Sequence, residues 1–271
     1  MRIYRYRIGK AEYYGQLVGE DLVKRCVRMS VDKYELKVCG PEDRLSEVEL
    51  LPPTKPTKIL CVGRNYRAHA EEMGNVPPDQ QPLIFLKPPS ALISHGAPIM
   101  IPPGTERVDY EGEIAIVIAK RCFDIEASQA YEYMLGVTAF NDVTARDWQK
   151  QDNQWTRAKG CDTFAPCGPF IDTSAAEALV VGGERKVPLT VKTLVNGEER
   201  QRGSIRELTF NFASLISYIS QYMTLEAGDI IATGTPAGVG ALNPGDEVVV
   251  ELNCGPRLVN SVIRRPEPVG E

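Results

Sequence analysis

Short stretches in which apolar and polar residues alternate fill the N-terminal part of the chain. Aromatic or aliphatic residues alternate with charged ones over about the first 50 residues, as between Ile3 and Ile8, and this period of two is typical of strands with one buried face. Compact apolar runs follow, and they predict strands over residues 58–62, 83–86, 111–119, 137–143, 230–233 and 247–252. The chain is therefore expected to be rich in β-structure.

Fewer segments show the helical spacing of apolar residues. The clearest is residues 212–223, an amphipathic stretch that begins directly after Asn211. A short helix is predicted from Asn65, as its N-cap residue, to Gly74, and a further helix over residues 129–135. Because strands outnumber helices and the two do not alternate strictly, we expect an α+β fold that is predominantly β.

A proline-rich segment separates the first strands from the rest of the chain. Pro52, Pro53 and Pro56 lie within five residues, and so many prolines cannot continue a strand or a helix. We therefore place a domain boundary there. The prediction is a small N-terminal β domain at residues 1–55 and a larger catalytic domain at residues 56–271.

Composition and charge narrow the class of protein. The formal net charge is −5 with no long run of one sign, which argues against nucleic-acid binding because neutralising phosphates needs a basic surface. The longest clean apolar run, residues 114–119, is far shorter than the ~20 residues that span a bilayer. Seven cysteines without a CxxC pair argue against a disulfide framework or a zinc site. We expect a cytoplasmic protein that binds no membrane.

Acidic side chains follow two of the predicted apolar strands. Glu111 and Glu113 are two residues apart and so share one face of a strand, and Asp142 lies at the end of another. Three carboxylates without imidazole or thiolate form a hard oxygen site, which suits Mg²⁺ or Mn²⁺, with Ca²⁺ as an alternative. Taken alone, the Glu111–Glu113 pair also fits an exposed strand end, and spacing does not show that the two strands are neighbours.

A histidine and a glutamate form a second pair on the short predicted helix. His69 and Glu72 are three residues apart, so their side chains meet on one side of that helix. A carboxylate beside an imidazole orients the ring and raises its basicity, as a general base requires. The alternative is a surface ion pair of little energetic weight. Lys87, Arg146 and Lys159 could bind a carboxylate, although such side chains are usually solvated.

Six short motifs together resemble the fumarylacetoacetate hydrolase family. In chain order they are Cys61-Val-Gly-Arg-Asn-Tyr66, Phe85-Leu-Lys-Pro88, Asp109-Tyr-Glu-Gly-Glu113, Asn141-Asp-Val-Thr-Ala-Arg-Asp147, Lys159-Gly160 and Gly234-Thr-Pro-Ala-Gly-Val239. The resemblance implies a mixed β-sandwich roll with a small N-terminal domain, and usually a homodimer. It is closest to the branch of acylpyruvases and oxaloacetate decarboxylases or tautomerases.

The same resemblance assigns roles to individual positions. It implies that Glu111, Glu113 and Asp142 bind the divalent metal ion. It further implies that His69 and Glu72 activate water and that Lys159 is an active-site lysine. The substrate contacts that it implies are Arg64, Arg146, Gln149 and Thr235.

The function implied is a metal-dependent hydrolase that cleaves a carbon–carbon bond in acylpyruvate-type 2,4-dioxo acids and releases pyruvate. The same site would also serve an oxaloacetate decarboxylase or tautomerase, or a 2-hydroxy-dienoate isomerase or hydratase. In each case the expected partner is a small 2-oxo acid. A non-catalytic metal-dependent binder is a hypothesis of another class, and the His69–Glu72 pair argues against it because binding alone needs no base.

Overall fold

The computed structural model describes residues 1–176 and 187–265. Strands make up 45% and helices 18%, and this confirms the predicted α+β class with a predominance of β-structure. The first ten strands are β1 (Arg2–Ile8), β2 (Ala11–Leu17), β3 (Leu22–Arg28), β4 (Leu36–Arg44), β5 (Glu49–Leu51), β6 (Ile59–Gly63), β7 (Leu83–Lys87), β8 (Leu92–Ile93), β9 (Ile99–Ile101) and β10 (Val108–Tyr110).

The rest of the chain contributes ten further described strands. The strands are β11 (Gly112–Ile118), β12 (Met134–Asn141), β13 (Thr144–Ala145), β14 (Ala165–Asp172), β15 (Thr190–Val195), β16 (Glu198–Ser204), β17 (Ile230–Ala232), β18 (Gly240–Ala241), β19 (Glu247–Leu252) and β20 (Arg257–Arg264). The α-helices are α1 (Arg67–Glu72), α2 (Arg146–Gln151), α3 (Thr156–Gly160) and α4 (Phe212–Ser220).

A twelve-stranded mixed sheet is the main layer of the fold. Its strand order is β4-β3-β2-β1-β14-β12-β11-β17-β6-β7, with β5 paired to β1 and β8 to β14. Most neighbours are antiparallel, but β17 runs parallel to β6. The strands next to the acidic motifs are β12, β11, β17 and β6, which we call the central strands.

A second sheet packs over these central strands. It has five strands in the order β16-β15-β19-β20-β9, and a third sheet pairs β13, β10 and β18. Ile114 and Ile116 of β11 pack with Val191 of β15 and Val250 of β19 in one buried cluster. Burying both faces of β11 makes it a rigid support for the acidic residues at its start.

The N-terminal strands continue the main sheet. β1 pairs with β14 through Arg2 and Asp172, and β5 returns to pair with β1. The domain boundary predicted at residue 55 is thus crossed by backbone hydrogen bonds, and the division into two domains stays a prediction.

Two helical predictions were wrong in detail. Tyr66, not Asn65, is the N-cap residue of α1, and no side chain caps that helix. The Asn65 amide instead donates to the backbone oxygens of Phe210 (3.0 Å) and Thr233 (2.8 Å), so it joins three loops. The segment predicted as a helix over residues 129–135 forms a 3₁₀-helix at Ala127–Tyr133 and then enters β12. β12 begins at Met134, inside the predicted helix, so only a short helical segment precedes it, and 3₁₀-helices are typical of such short pieces.

Two further expectations concern the membrane and the cysteines. Within residues 1–176 and 187–265, no helix is long and apolar enough to cross a membrane. The cysteines of the described residues form no disulfide bond.

Candidate active site

A cavity of about 250 Å³ opens at the ends of the central strands. Its walls come from β6, α1, β7, the start of β11, the segment after β12, and helices α2 and α3. The residues that line it are Val62, Gly63, Arg64, His69, Met73, Asn75, Phe85, Glu111, Glu113, Asp142, Arg146, Gln149, Lys150, Trp155, Lys159 and Thr235.

The three predicted acidic residues meet in this cavity. The backbone N–H of Glu111 donates to Asn141 Oδ1 (2.9 Å), and the N–H of Asp142 donates to the Glu111 carbonyl (2.8 Å). These bonds tie the start of β11 to the end of β12. One oxygen from each of Glu111, Glu113 and Asp142 lies within 4.8 Å of the others, and all three residues are buried. The structure thus shows that the two strands carrying these acids are neighbours, which the sequence spacing alone did not show.

A glycine separates the two glutamates because the second sheet approaches closely there. A Cβ atom at Gly112 would overlap Thr193 Oγ1 of β15 and lie 3.4 Å from Val250 Cγ1. The Gly112 N–H donates to the side chain of Gln201 on β16 (3.0 Å). The Glu-Gly-Glu motif therefore directs two carboxylates to the cavity while its middle residue accommodates the packing of the sheets.

Three buried cationic side chains surround the carboxylates. Arg146 donates from Nε to Asp109 Oδ2 (2.8 Å) and from Nη2 to Glu111. Lys159 Nζ donates to Glu111 Oε2 (2.8 Å) and Asp142 Oδ2 (2.6 Å). Lys87 Nζ donates to Asp142 Oδ1 (2.5 Å). The usual solvated state of Lys and Arg does not hold at these positions, because buried carboxylates need compensation.

The compensation is uneven across the acidic triad. Burial opposes ionisation of Glu111, but the charges of Arg146 and Lys159 outweigh it and lower the pKa of that carboxyl. Burial and the neighbouring carboxylates raise the pKa of Glu113 well above its ordinary value. Glu113 accepts a hydrogen bond from the Gly234 N–H (2.8 Å), and in the described part of the chain no ion pair reaches it. Three clustered carboxylates, of which Glu113 has no cationic partner in the described part of the chain, fit a hard divalent cation such as Mg²⁺ or Mn²⁺.

His69 and Glu72 form the predicted pair on α1. His69 is buried and lines the cavity, with Nδ1 3.4 Å from Glu72 Oε2. Glu72 is exposed and does not line the cavity. The Glu72 carboxylate also accepts the Gly238 N–H at 3.0 and 3.1 Å, which fastens α1 to the loop after β17. The imidazole is thus the part of the pair that faces the cavity.

The other predicted contacts also line the cavity, but their hydrogen bonds differ. Gln149 accepts from Arg146 Nη1 (2.7 Å). Thr235 donates to the Gly112 carbonyl (2.9 Å) and accepts from Gln201 Nε2 (2.7 Å). Arg64 has a φ of 59°, a left-handed backbone conformation that is uncommon for a residue with a side chain.

Sequence reasoning missed Asp109 and Gln201, and for Lys87 it predicted only that the side chain could bind a carboxylate. Asp109 and Lys87 stand within two of the motifs, and this was the one signal that could have identified them. Gln201 lies in a β-hairpin with no motif around it. Its link to Thr235, 34 positions away, depends on the folded structure.

Comparison with known proteins places these residues in a family. Residues 58–263 match the sequence profile described as "Fumarylacetoacetate (FAA) hydrolase C-terminal". The chain is 42% identical over 231 residues to oxaloacetate tautomerase YisK of Bacillus subtilis, a match that covers 80% of this chain and 74% of that protein.

Solved structures share the fold as well. A 5-carboxymethyl-2-hydroxymuconate delta-isomerase from Mycobacterium smegmatis is similar with a TM-score of 0.86 and 37% identity, covering 98% of this chain and 100% of that one. Fumarylpyruvate hydrolase from Pseudomonas aeruginosa, solved in complex with Mn²⁺ and pyruvate, has a TM-score of 0.70 and 33% identity over 79% of this chain and 91% of that one. The fold, the order of the motifs and these matches show that the chain belongs to the fumarylacetoacetate hydrolase family.

Proposed function

We propose that the chain is a divalent-metal-dependent enzyme that catalyses keto–enol proton transfer on small 2-oxo dicarboxylates of the oxaloacetate type. The observation that carries this proposal is a single cavity in which an imidazole base, a buried lysine and three clustered carboxylates all reach the wall. The name of the Bacillus subtilis relative, an oxaloacetate tautomerase, supports the same reaction.

The charges at the cavity wall support a substrate with two carboxylates. The described part of the chain offers no ion-pair partner to Arg64 or Lys150, although both line the cavity. An unpaired guanidinium or ammonium group can bind a carboxylate with a charge-assisted hydrogen bond. These two residues would bind the carboxylate that lies away from the acidic triad.

The residues of the site can divide the proton transfer among them. A divalent cation held by Glu111, Glu113 and Asp142 would polarise the 2-oxo group as a Lewis acid. With Nδ1 of His69 turned to Glu72, its Nε2 is the nitrogen left to take a proton from C3 of the substrate and return it to the 2-oxygen. The Lys159 ammonium would donate a hydrogen bond to that oxygen while negative charge develops on it.

Hydrolysis of acylpyruvates is the second candidate, and the His69–Glu72 pair favours it. In that reaction Glu72 would orient the imidazole while His69 takes a proton from water, and the resulting hydroxide would attack the 4-carbonyl group. The C3–C4 bond would then break, and the pyruvate enolate that leaves would take up at C3 the proton held by His69. The name of the Pseudomonas aeruginosa neighbour, a fumarylpyruvate hydrolase, supports this chemistry. A purely binding function would leave the histidine in the cavity without a task.

A panel of substrates and two histidine variants tests the proposal. Oxaloacetate enol–keto conversion and acetylpyruvate cleavage would be followed by ultraviolet absorbance with Mg²⁺, with Mn²⁺ and with a chelator. We expect metal-dependent tautomerisation that His69→Ala slows by ~10²–10⁴-fold, as for loss of a general base. This loss corresponds to roughly 3–5 kcal/mol of barrier.

His95→Ala is the matched control, because His95 accepts the Val259 N–H and does not line the cavity. This variant should keep the wild-type rate. Cleavage of acetylpyruvate without tautomerase activity would favour the second candidate. Metal-loaded protein that is inactive on both substrates would overturn both.

A further inference from the structure

Two buried lysines hold the same carboxylate from opposite sides. Lys87 Nζ lies 2.5 Å from Asp142 Oδ1, and Lys159 Nζ lies 2.6 Å from Asp142 Oδ2. The Asp142 side chain is 2% exposed. One lysine ammonium would be enough to balance the charge of one carboxylate, so the second lysine at Asp142 needs an explanation.

The two lysines differ in what else they contact. Lys87 Nζ also donates to the backbone carbonyl of Val143 (3.0 Å), and its side chain is fully enclosed. Lys159 Nζ makes its second bond to Glu111 Oε2 (2.8 Å) and lies 5.0 Å from the centre of the Phe85 ring. Lys87 is therefore anchored to the backbone, whereas Lys159 is held by side chains of the triad and the cavity wall.

Their access to the cavity differs in the same way. Lys159 lines the cavity, but Lys87 stands behind Asp142 and does not. A cation bound by the triad would lie on the cavity side, where Lys159 bonds to Glu111 and Asp142, and would compete with the Lys159 ammonium for these carboxylates. Lys87 does not line the cavity and also bonds to the Val143 carbonyl, so its position would not depend on the cation.

We propose that Lys87 is a positioning residue that orients Asp142 and balances its charge permanently, so that Lys159 can turn from Asp142 to the substrate. This inference rests on the proposed metal-dependent function. Without Lys87, Asp142 would depend on Lys159 alone. The carboxylate would lose its fixed orientation, and Lys159 would stay bound to Asp142 when the substrate needs it.

Metal affinity measured apart from turnover tests this role. Lys87→Met keeps the apolar stem but removes the charge and the donors. We expect its Mn²⁺ dissociation constant, measured from the EPR signal of free Mn²⁺, to rise by about 10–100-fold, the usual effect of losing an outer partner of a metal ligand. Its kcat should fall by a larger factor than its KM rises.

Lys58→Met is the matched control. Lys58 Nζ lies 2.5 Å from Oδ2 of Asp229, whose side chain is also fully buried, but neither residue lines the cavity. Both variants remove a lysine from a buried aspartate and should lose stability. Only Lys87→Met should lose affinity for Mn²⁺.

A second substitution covers the case in which Lys87→Met does not fold. Lys87→Gln keeps an N–H donor without the charge and should show the same direction of change at a smaller size. If either folded variant binds Mn²⁺ within threefold of wild type with unchanged kcat, the inference is overturned. If wild-type protein itself binds no Mn²⁺, the proposed function fails instead.

Discussion

Replacing Gly112 with alanine should disturb both the sheet packing and the acidic triad. An added Cβ would overlap Thr193 Oγ1 and lie 3.2 Å from Thr193 Cβ. Thr193 is fully buried on β15, and β15 is paired on both sides, to β16 and β19. The neighbour therefore cannot move away without shifting the second sheet.

The expected loss of stability follows from two opposing effects. Overpacking in a closed core costs about 1–3 kcal/mol. The lower chain entropy of alanine in the unfolded state returns only about 0.4–1 kcal/mol. We therefore expect Gly112→Ala to lower the free energy of unfolding by roughly 1–2 kcal/mol. Because Glu111 and Glu113 flank position 112, the affinity of this variant for Mn²⁺ should fall as well.

Urea unfolding of a double-mutant cycle measures this effect. Thr193 Oγ1 is buried and has no hydrogen-bond partner among the described residues, so Thr193→Ala removes the overlapping atom without breaking a known bond. The double variant Gly112→Ala/Thr193→Ala should recover most of the lost stability, with a coupling of about 1 kcal/mol or more. Gly19→Ala is the control, because its nearest neighbouring atom is 3.8 Å away. A Gly112→Ala variant that unfolds within ~0.5 kcal/mol of wild type, or no recovery when Thr193→Ala is added, would contradict this overlap.

Three further changes test other parts of the structure. Asp142→Asn should reduce Mn²⁺ affinity and turnover about 10-fold or more while circular dichroism stays that of the folded protein; unchanged metal content would disprove the metal assignment. Asn65→Ala removes three hydrogen bonds, including one from the Phe210 N–H, and should cost about 2–4 kcal/mol in urea unfolding; a loss below ~0.5 kcal/mol would contradict this role. Hydrogen bonds from Lys55 and Arg5 lower the pKa of Glu12 from 4.5 to about 2. The stabilisation by Glu12 is then complete above pH 4.5 and is lost as pH falls through about 2. Glu12→Gln should therefore be less stable than wild type at pH 7 by about 1 kcal/mol. A difference in urea midpoint between the two proteins that did not shrink toward pH 2 would contradict this.

The strands were predictable because their signal is local. The apolar runs before Gly63 and after Glu113 match β6 and β11 closely, since a strand buried on both faces needs apolar residues at every position. The placement of Asp142 directly after such a run also marked it as the end of a strand, but only the structure shows that this end lies beside Glu111. Local sequence therefore predicted both the central strands and the acidic residues attached to them.

Predictions that depend on distant partners were less successful. Asn65 has the residue type of an N-cap, but its amide bonds reach residues 145 and 168 positions away. Local preference and tertiary contact compete for such a side chain, and here the tertiary contact determines its position. The segment at residues 129–135 was similarly changed by the strands beside it, because β12 begins within it.

The buried acids of the site could be predicted from the sequence more easily than the cationic side chains that pair with them. An acid attached to an apolar strand stands out in the sequence, whereas a lysine can reach a buried carboxylate from any adjacent element because its stem is long and apolar. Lys87 comes from β7 and Lys159 from α3, and neither has a local sequence context that indicates burial. The acids nevertheless require such partners, since isolated buried charges are too costly to fold. Of the buried carboxylates Asp109, Glu111, Glu113 and Asp142, three have Lys87, Arg146 or Lys159 as partners. Glu113, the fourth, is the carboxylate at which the proposed divalent cation would complete the balance.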